Sequence, residues 1–378
     1  MKNLTYSEQQ KISNTEKLRD LLEFLPAFVR TFFRGIEQTS QPRTRIAYAV
    51  DLKSFFDYLK KTDIDMFLSA AKENDKTFSD AINEDKDKDF PVKELNKRLT
   101  DPKFLERIDA TMIEEYLEYL QYYVDENGHE QTNSEAGLKR KLSSLRSMFN
   151  YFHTHRLINE NPTLQVSMPK IHEKNIIRMD ANEVAEFLDT VESGNSLTKN
   201  QLAFHEKNKV RDLAITTLML GTGIRVSECV GLDIKDVDLD NDRINIVRKG
   251  GNESFVYFGE EVRTALLSYL EQRKKTEAVQ GSENALFLSN RKSRMTVRNI
   301  EILVKKYAGI SVSSKKITPH KLRSTYGTQL YSETGDIYLV ADVLGHKDVN
   351  TTRRHYAALD EERRRSAKDA VTLRESKT

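Results

Sequence analysis

RINIVRKGGNESFVYF, residues 243–258, interrupts a chain whose apolar residues otherwise recur at helical spacing. Arg243–Val247 and Ser254–Phe258 are short alternating runs, and Arg248-Lys249-Gly250-Gly251-Asn252 between them has turn composition, so the stretch predicts a β-hairpin. Upstream, Ala181–Val191 and Lys209–Leu220 carry the i, i+3/i+4 pattern of helices. Downstream, Glu260–Gln272, Thr296–Tyr307, Pro319–Ser332, Ile337–Leu344, Asn350–Ala357 and Asp360–Val371 read the same way. One hairpin set among helices predicts a mainly α domain with a small antiparallel sheet.

Further upstream every pattern is helical. Residues 1–40 carry a broad apolar stripe through Leu18, Leu21, Leu22, Phe24, Leu25, Phe28 and Val29, and a second helix is expected after Gln41-Pro42. Asp109–Val124 and Ser134–His153 follow, closing an all-α bundle near Asn161-Pro162. KENDKTFSDAINEDKDKDF (72–90) is highly charged with weak periodicity, as expected of a surface insertion. Residues 166–178, with Pro169 and little amphipathic pattern, are expected to link a helical domain 1–165 to a second domain 179–378.

The chain has 378 residues, with 38% hydrophobic and 31% charged, enough apolar material for two cores. No stretch reaches the roughly 20 apolar residues of a spanning helix, so no membrane is expected as partner. The start, MKNLTYSEQQ, lacks a signal-peptide core, and Cys229 is the single cysteine, so a cytoplasmic protein without an intramolecular disulfide is expected. The 60 basic and 58 acidic residues leave a net charge of only +2. That total conceals a division: residues 51–130 carry −9, the remainder +11, and Arg243–Arg323 alone +10. The last segment is either a solvated lysine-rich face or a surface for a polyanion.

Four short stretches could carry chemistry. In Thr318-Pro319-His320-Lys321-Leu322-Arg323, Thr318 suits a helix N-cap and Pro319 the first helical position, which puts His320 and Arg323 on one face of the first turn. An imidazole and a guanidinium beside free helix N–H groups make a phosphate site; without a ligand they are an exposed helix start. In Gly221-Thr222-Gly223-Ile224-Arg225, the glycines stop one helix, Thr222 can cap the next, and Arg225 falls near the turn. Lys249 tips the hairpin, able to reach a substrate at the sheet edge or simply to be solvated. In Leu344-Gly345-His346, Gly345 ends a helix and leaves His346 in the loop, ten positions before Tyr356. Asp236, Asp238 and Asp240 begin like a calcium loop, but Asn241 and Val247 stand where glycine and glutamate are needed. No HExxH or Cys/His cluster suggests zinc, so neither metal nor other cofactor is expected.

The order Arg225, Lys249, His320-x-x-Arg323, His346, Tyr356 is far more specific than any one part. With TGIRVSE, RKGGNE, TPHKLR and VLGHKDVNTTRRHY at matching spacing, residues 175–360 resemble the tyrosine recombinases, the phage-integrase family. SQPRTRIAYAVDLKSFFDYL and LKRKLSSLRSMFNYF resemble that family's helical DNA core-binding domain. The long front end and the acidic 72–90 insertion are most similar to the Xer chromosome-dimer resolvases, in particular their single-recombinase streptococcal type. Ser324, where many members carry histidine, and Gly251-Asn252 after the hairpin lysine depart from the pattern.

The resemblance implies a catalytic domain fused to a core-binding bundle, and a site-specific recombinase that cuts and rejoins DNA through a 3′-phosphotyrosyl bond. It implies Tyr356 as nucleophile, Arg225 and Arg323 as phosphate clamps, Lys249 as leaving-group acid, His320 as base and His346 as support. The implied partners are double-stranded DNA with paired half-sites, three further copies of the chain on two duplexes, and a septal DNA translocase as accessory. Integrases of phages, plasmids or conjugative transposons share the same core. A type IB topoisomerase or a catalytically silent DNA-binding protein are the rival classes.

Overall fold

The computed structural model describes residues 5–75, 92–125, 127–172, 177–248, 251–346 and 349. The chain divides into two compact units, Met1–Glu173 and Lys174–Thr378.

The first unit is a helical bundle built from α1 (Tyr6–Leu22), α2 (Val29–Gly35), α3 (Pro42–Thr62), α4 (Ile64–Asn74), α5 (Val92–Arg98), α6 (Ala110–Tyr119) and α7 (Glu135–Thr154). The continuous stripe expected over residues 1–40 is two helices. Pro26 cannot extend a helix through residues 23–28, and the N–H groups of Ala27 and Phe28 instead donate to the carbonyls of Asn96 (2.9 Å) and Leu99 (3.0 Å). The turn thereby swings Phe28 into the core, edge-on to Phe56 and Phe152 at centroid distances of 6.2 and 5.7 Å. The helix expected to reach Val124 stops at Tyr119, because Tyr123-Val124 (β1) pairs with Glu130-Gln131 (β2) around Gly128. One carboxylate is buried between α3 and α7: Asp51, 1% exposed, accepts hydrogen bonds from Arg140 Nη1 (2.5 Å) and Ser144 Oγ (2.8 Å). Lys141 Nζ lies 3.6 Å from it.

The second unit contains α8 (Ala181–Ser193), α9 (Lys199–Thr222), α10 (Val226–Gly231), α11 (Glu260–Lys274), α12 (Val297–Ser311), α13 (Pro319–Thr334) and α14 (Ile337–Leu344). The hairpin strands are β4 (Arg243–Val247) and β5 (Glu253–Tyr257), paired from Arg243 with Tyr257 to Val247 with Glu253. A third short strand, β3 (Val237-Asp238), adds to β4 and completes an antiparallel sheet of order β3-β4-β5. Strand alternation turns Ile244, Ile246 and Val256 into the core and leaves Val247, Phe255 and Tyr257 exposed. The acidic run before the hairpin has a structural use here: Asp238 accepts from Arg243 Nε (2.8 Å) and Asn241 Nδ2 (2.8 Å).

Candidate active site

The site is assembled by three chain reversals that meet at the C-terminal end of α14. The first is the end of α9. Gly223 stands at φ +63°, where a Cβ would overlap the Tyr326 ring and come within 2.9 Å of Leu344 Cδ2, so only glycine lets α13 and α14 close on this turn. Thr222, expected to cap the next helix, instead belongs to α9 and returns its hydroxyl to the Leu218 carbonyl (2.5 Å). The N-cap position of α10 is Arg225 itself, at φ −71° and ψ 149°.

Glu228 fixes that arginine. Its carboxylate accepts from the Arg225 N–H (2.7 Å) and from Arg225 Nη1 (2.8 Å), and it is 8% exposed. Arg225 Nη2 then donates to the Gly345 carbonyl (3.1 Å).

The second reversal is the start of α13. Pro319 opens the helix as expected, although the Thr318 side chain makes no capping bond. His320 is exposed, and one turn on Arg323 is 5% exposed, donating through Nη1 to the Gly223 carbonyl (2.6 Å) and through Nη2 to the Leu344 carbonyl. Ser324 turns its hydroxyl back to the His320 carbonyl (3.1 Å).

The third is the hairpin. Arg248 Nη2 donates to the Val343 carbonyl (3.0 Å). Three consecutive carbonyls, Val343, Leu344 and Gly345, therefore each hold one guanidinium, from Arg248, Arg323 and Arg225. Carbonyls at a helix C-terminus lack intrahelical donors and carry the negative end of the helix dipole, which makes them suitable anchors for cations. Gly345 follows in the left-handed conformation (φ +62°), and the half-buried His346 begins the next segment with its N–H on the Ala341 carbonyl (2.8 Å).

Of the residues singled out by sequence, the structure thus gathers Arg225 and Arg323 on the turn that leads into His346, with His320 on the same helix as Arg323. Lys249 and Tyr356 lie outside the described residues, as do the helices expected at Asn350–Ala357 and Asp360–Val371. Sequence reasoning missed Glu228, although it stands three residues after Arg225 within TGIRVSE, and Arg248, adjacent to Lys249. Cys229 is buried, and that burial together with neighbouring Glu228 pushes its thiol up to about 12, so it is no nucleophile at neutral pH.

An array of guanidiniums held by backbone oxygens is rigid and rich in N–H donors, as recognition of a phosphoryl group requires. Residues 178–363 match the phage integrase family. The chain is 31% identical over 339 residues to the tyrosine recombinase XerC of Caldanaerobacter subterraneus subsp. tengcongensis, spanning 89% of this chain and 83% of that protein. The chain belongs to the tyrosine recombinase family. The recombinase is also 34% identical over 271 residues to the tyrosine recombinase XerS of Streptococcus agalactiae, covering 66% of this chain and 75% of the relative. It is an Xer-type site-specific DNA recombinase. Its fold is shared with the XerH site-specific recombinase in a post-cleavage complex with a palindromic difH substrate, at a TM-score of 0.60, 20% identity and coverage of 90% and 82% of the two chains. No helix among the described residues is long and apolar enough to cross a membrane.

Proposed function

We propose that this recombinase cuts and rejoins double-stranded DNA at paired half-sites through Tyr356, and that it serves to resolve chromosome dimers in the cytoplasm. Tyr356 Oη attacks the scissile phosphorus, the P–O5′ bond breaks, and a 3′-phosphotyrosyl bond and a 5′-hydroxyl result. A phenol titrates near 10, so the attacking hydroxyl needs a base, the role given to His320. The proton for the departing O5′ comes from Lys249. Arg225 and Arg323 hold the non-bridging oxygens, where charge accumulates in the transition state, and His346 adds a hydrogen bond. The covalent intermediate conserves the energy of the broken bond, so religation needs no external energy source.

The observation that supports this reading is the anchoring of Arg225 and Arg323 on adjacent carbonyls, Gly345 and Leu344, which sets the two guanidiniums close together. The reading divides the chain into a core-binding domain 1–165, a linker 166–178 and a catalytic domain 179–378. It includes a tetramer on two duplexes and a septal translocase as accessory partner. A nicked suicide substrate tests the chemistry: the wild type should accumulate a covalent protein–DNA adduct and Tyr356→Phe none. An adduct of equal yield in the mutant would remove Tyr356 as nucleophile. Binding should weaken steeply with salt, since phosphate contacts release counterions, and a flat dependence would count against the basic surface.

A further inference from the structure

We propose that Arg248 is a positioning residue, a tether that holds the root of the hairpin turn against the end of α14 and so sets where Lys249, the next residue in the chain, delivers its proton. The inference rests on the reading of Lys249 as the leaving-group acid.

Arg248 is bound at both its ends. Its main chain closes the turn, with its N–H donating to the Asn252 carbonyl (2.8 Å) and its own carbonyl accepting from Gly251 (3.0 Å). Its side chain reaches across 95 residues of sequence to the Val343 carbonyl. The guanidinium fills the space that a Cβ at residue 345 would need, so Gly345 is required for a packing reason as well as for its backbone conformation.

Beyond the buried Ile246 and Val256 the hairpin end stands open to solvent. Val247 and Phe255, either side of the turn, are 54% and 52% exposed, and no atom lies within 4 Å of a Cβ placed on Gly251. The tether therefore holds Arg248 at the same helix end that anchors Arg225 and Arg323. A proton donor misplaced by about 1 Å can cost on the order of 100-fold in rate.

The chemistry of the leaving group separates this role from phosphate binding. Cleavage is measured on a normal phosphodiester and on one whose bridging 5′-oxygen is replaced by sulfur. A thiol titrates near 8.5, far below an alkanol, so a 5′-thiolate departs without a proton donor. Arg248→Ala should cleave the normal substrate 10–100-fold more slowly, bind DNA within about threefold of wild type, and regain near-wild-type rate on the 5′-thio substrate. Lys249→Ala is the control for the underlying reading and should be rescued in the same way. If Lys249→Ala is not rescued, Lys249 is not the acid and the proposal falls with that reading. If Lys249→Ala is rescued but Arg248→Ala is equally slow on both substrates, Arg248 acts on the phosphate itself and the tether is refuted. Near-normal cleavage of both substrates by Arg248→Ala refutes it as well. Should Arg248→Ala fail to fold, Arg248→Lys, which keeps the charge and loses the planar fork, takes the same pair of measurements.

Discussion

Replacing Gly345 by alanine should damage the second unit through two separable effects whose sizes follow from the geometry. At φ +62° an L-residue in the left-handed region costs about 1 kcal/mol. The added Cβ also falls inside the Arg248 guanidinium, so that group must leave and its bond to the Val343 carbonyl is lost. A hydrogen bond with a charged donor contributes about 1.5–3 kcal/mol, and for the half-buried Arg248 the lower part of that range applies, about 2 kcal/mol. The expected total is about 3 kcal/mol. For a unit of this size that lowers the melting temperature by about 6–12 °C. A double-mutant cycle isolates the second effect: in an Arg248→Ala background, Gly345→Ala should cost only about 1 kcal/mol, giving a coupling of about 2 kcal/mol. Thermal unfolding of the four proteins, with calorimetry resolving the two units, measures it. Equal costs of Gly345→Ala in both backgrounds would show that the guanidinium does not occupy that space and would refute the reasoning.

Glu228→Gln keeps the shape of the carboxylate but removes the charge that orients Arg225, so cleavage should fall about 10–100-fold while DNA binding stays within a few-fold, since the loss is of a charge-assisted bond; unchanged cleavage in a suicide-substrate assay would deny Glu228 a positioning role. Lys60 in α3 has a side chain 8% exposed, 3.5 Å from Asp57, and burial holds its ammonium below the ordinary lysine range. Its folded pKa lies below the unfolded one, so between the two the unfolded state binds more protons and stability rises with pH. Lys60→Met should therefore raise the melting temperature of the first unit at pH 7, by an amount that shrinks as pH approaches the unfolded value near 10.5; a gain independent of pH would mean that the buried charge is not its source.

Much of the second unit was legible because its elements carry strong punctuation. Ile337–Leu344 was bounded correctly by Gly345, and β4 by the turn composition that follows it. α9 begins ten residues before the start that its apolar spacing predicts: Lys199–Asn208 is too polar for an apolar stripe, although Thr198 and Gln201 form the capping box that marks its true start. The third strand, Val237-Asp238, is too short to show any period. In the first unit the apolar spacing across Pro26 suggested one helix, because period alone does not register a backbone redirected by the Asn96 and Leu99 carbonyls. At the site, residue types and spacing pointed to Arg225 and Arg323, yet their anchors were not legible. Apart from Glu228, those anchors are main-chain oxygens up to 120 residues away, and a carbonyl has no signature in a sequence.

Because each of the three arginines donates to a carbonyl of residues 343–345, that part of their placement is insensitive to the side chains at 343 and 344. The half-buried Val343 can accept other residues without moving Arg248, and Leu344 answers to the apolar packing beneath it and not to Arg323. Substitution should thus be permissive at 343, limited to apolar side chains at the buried Leu344, and excluded at Gly345, where any side chain would collide with the cation it helps to seat. The spacing of the arginine array is thus written in the main chain, in the last turn of α14 and the left-handed residue that ends it.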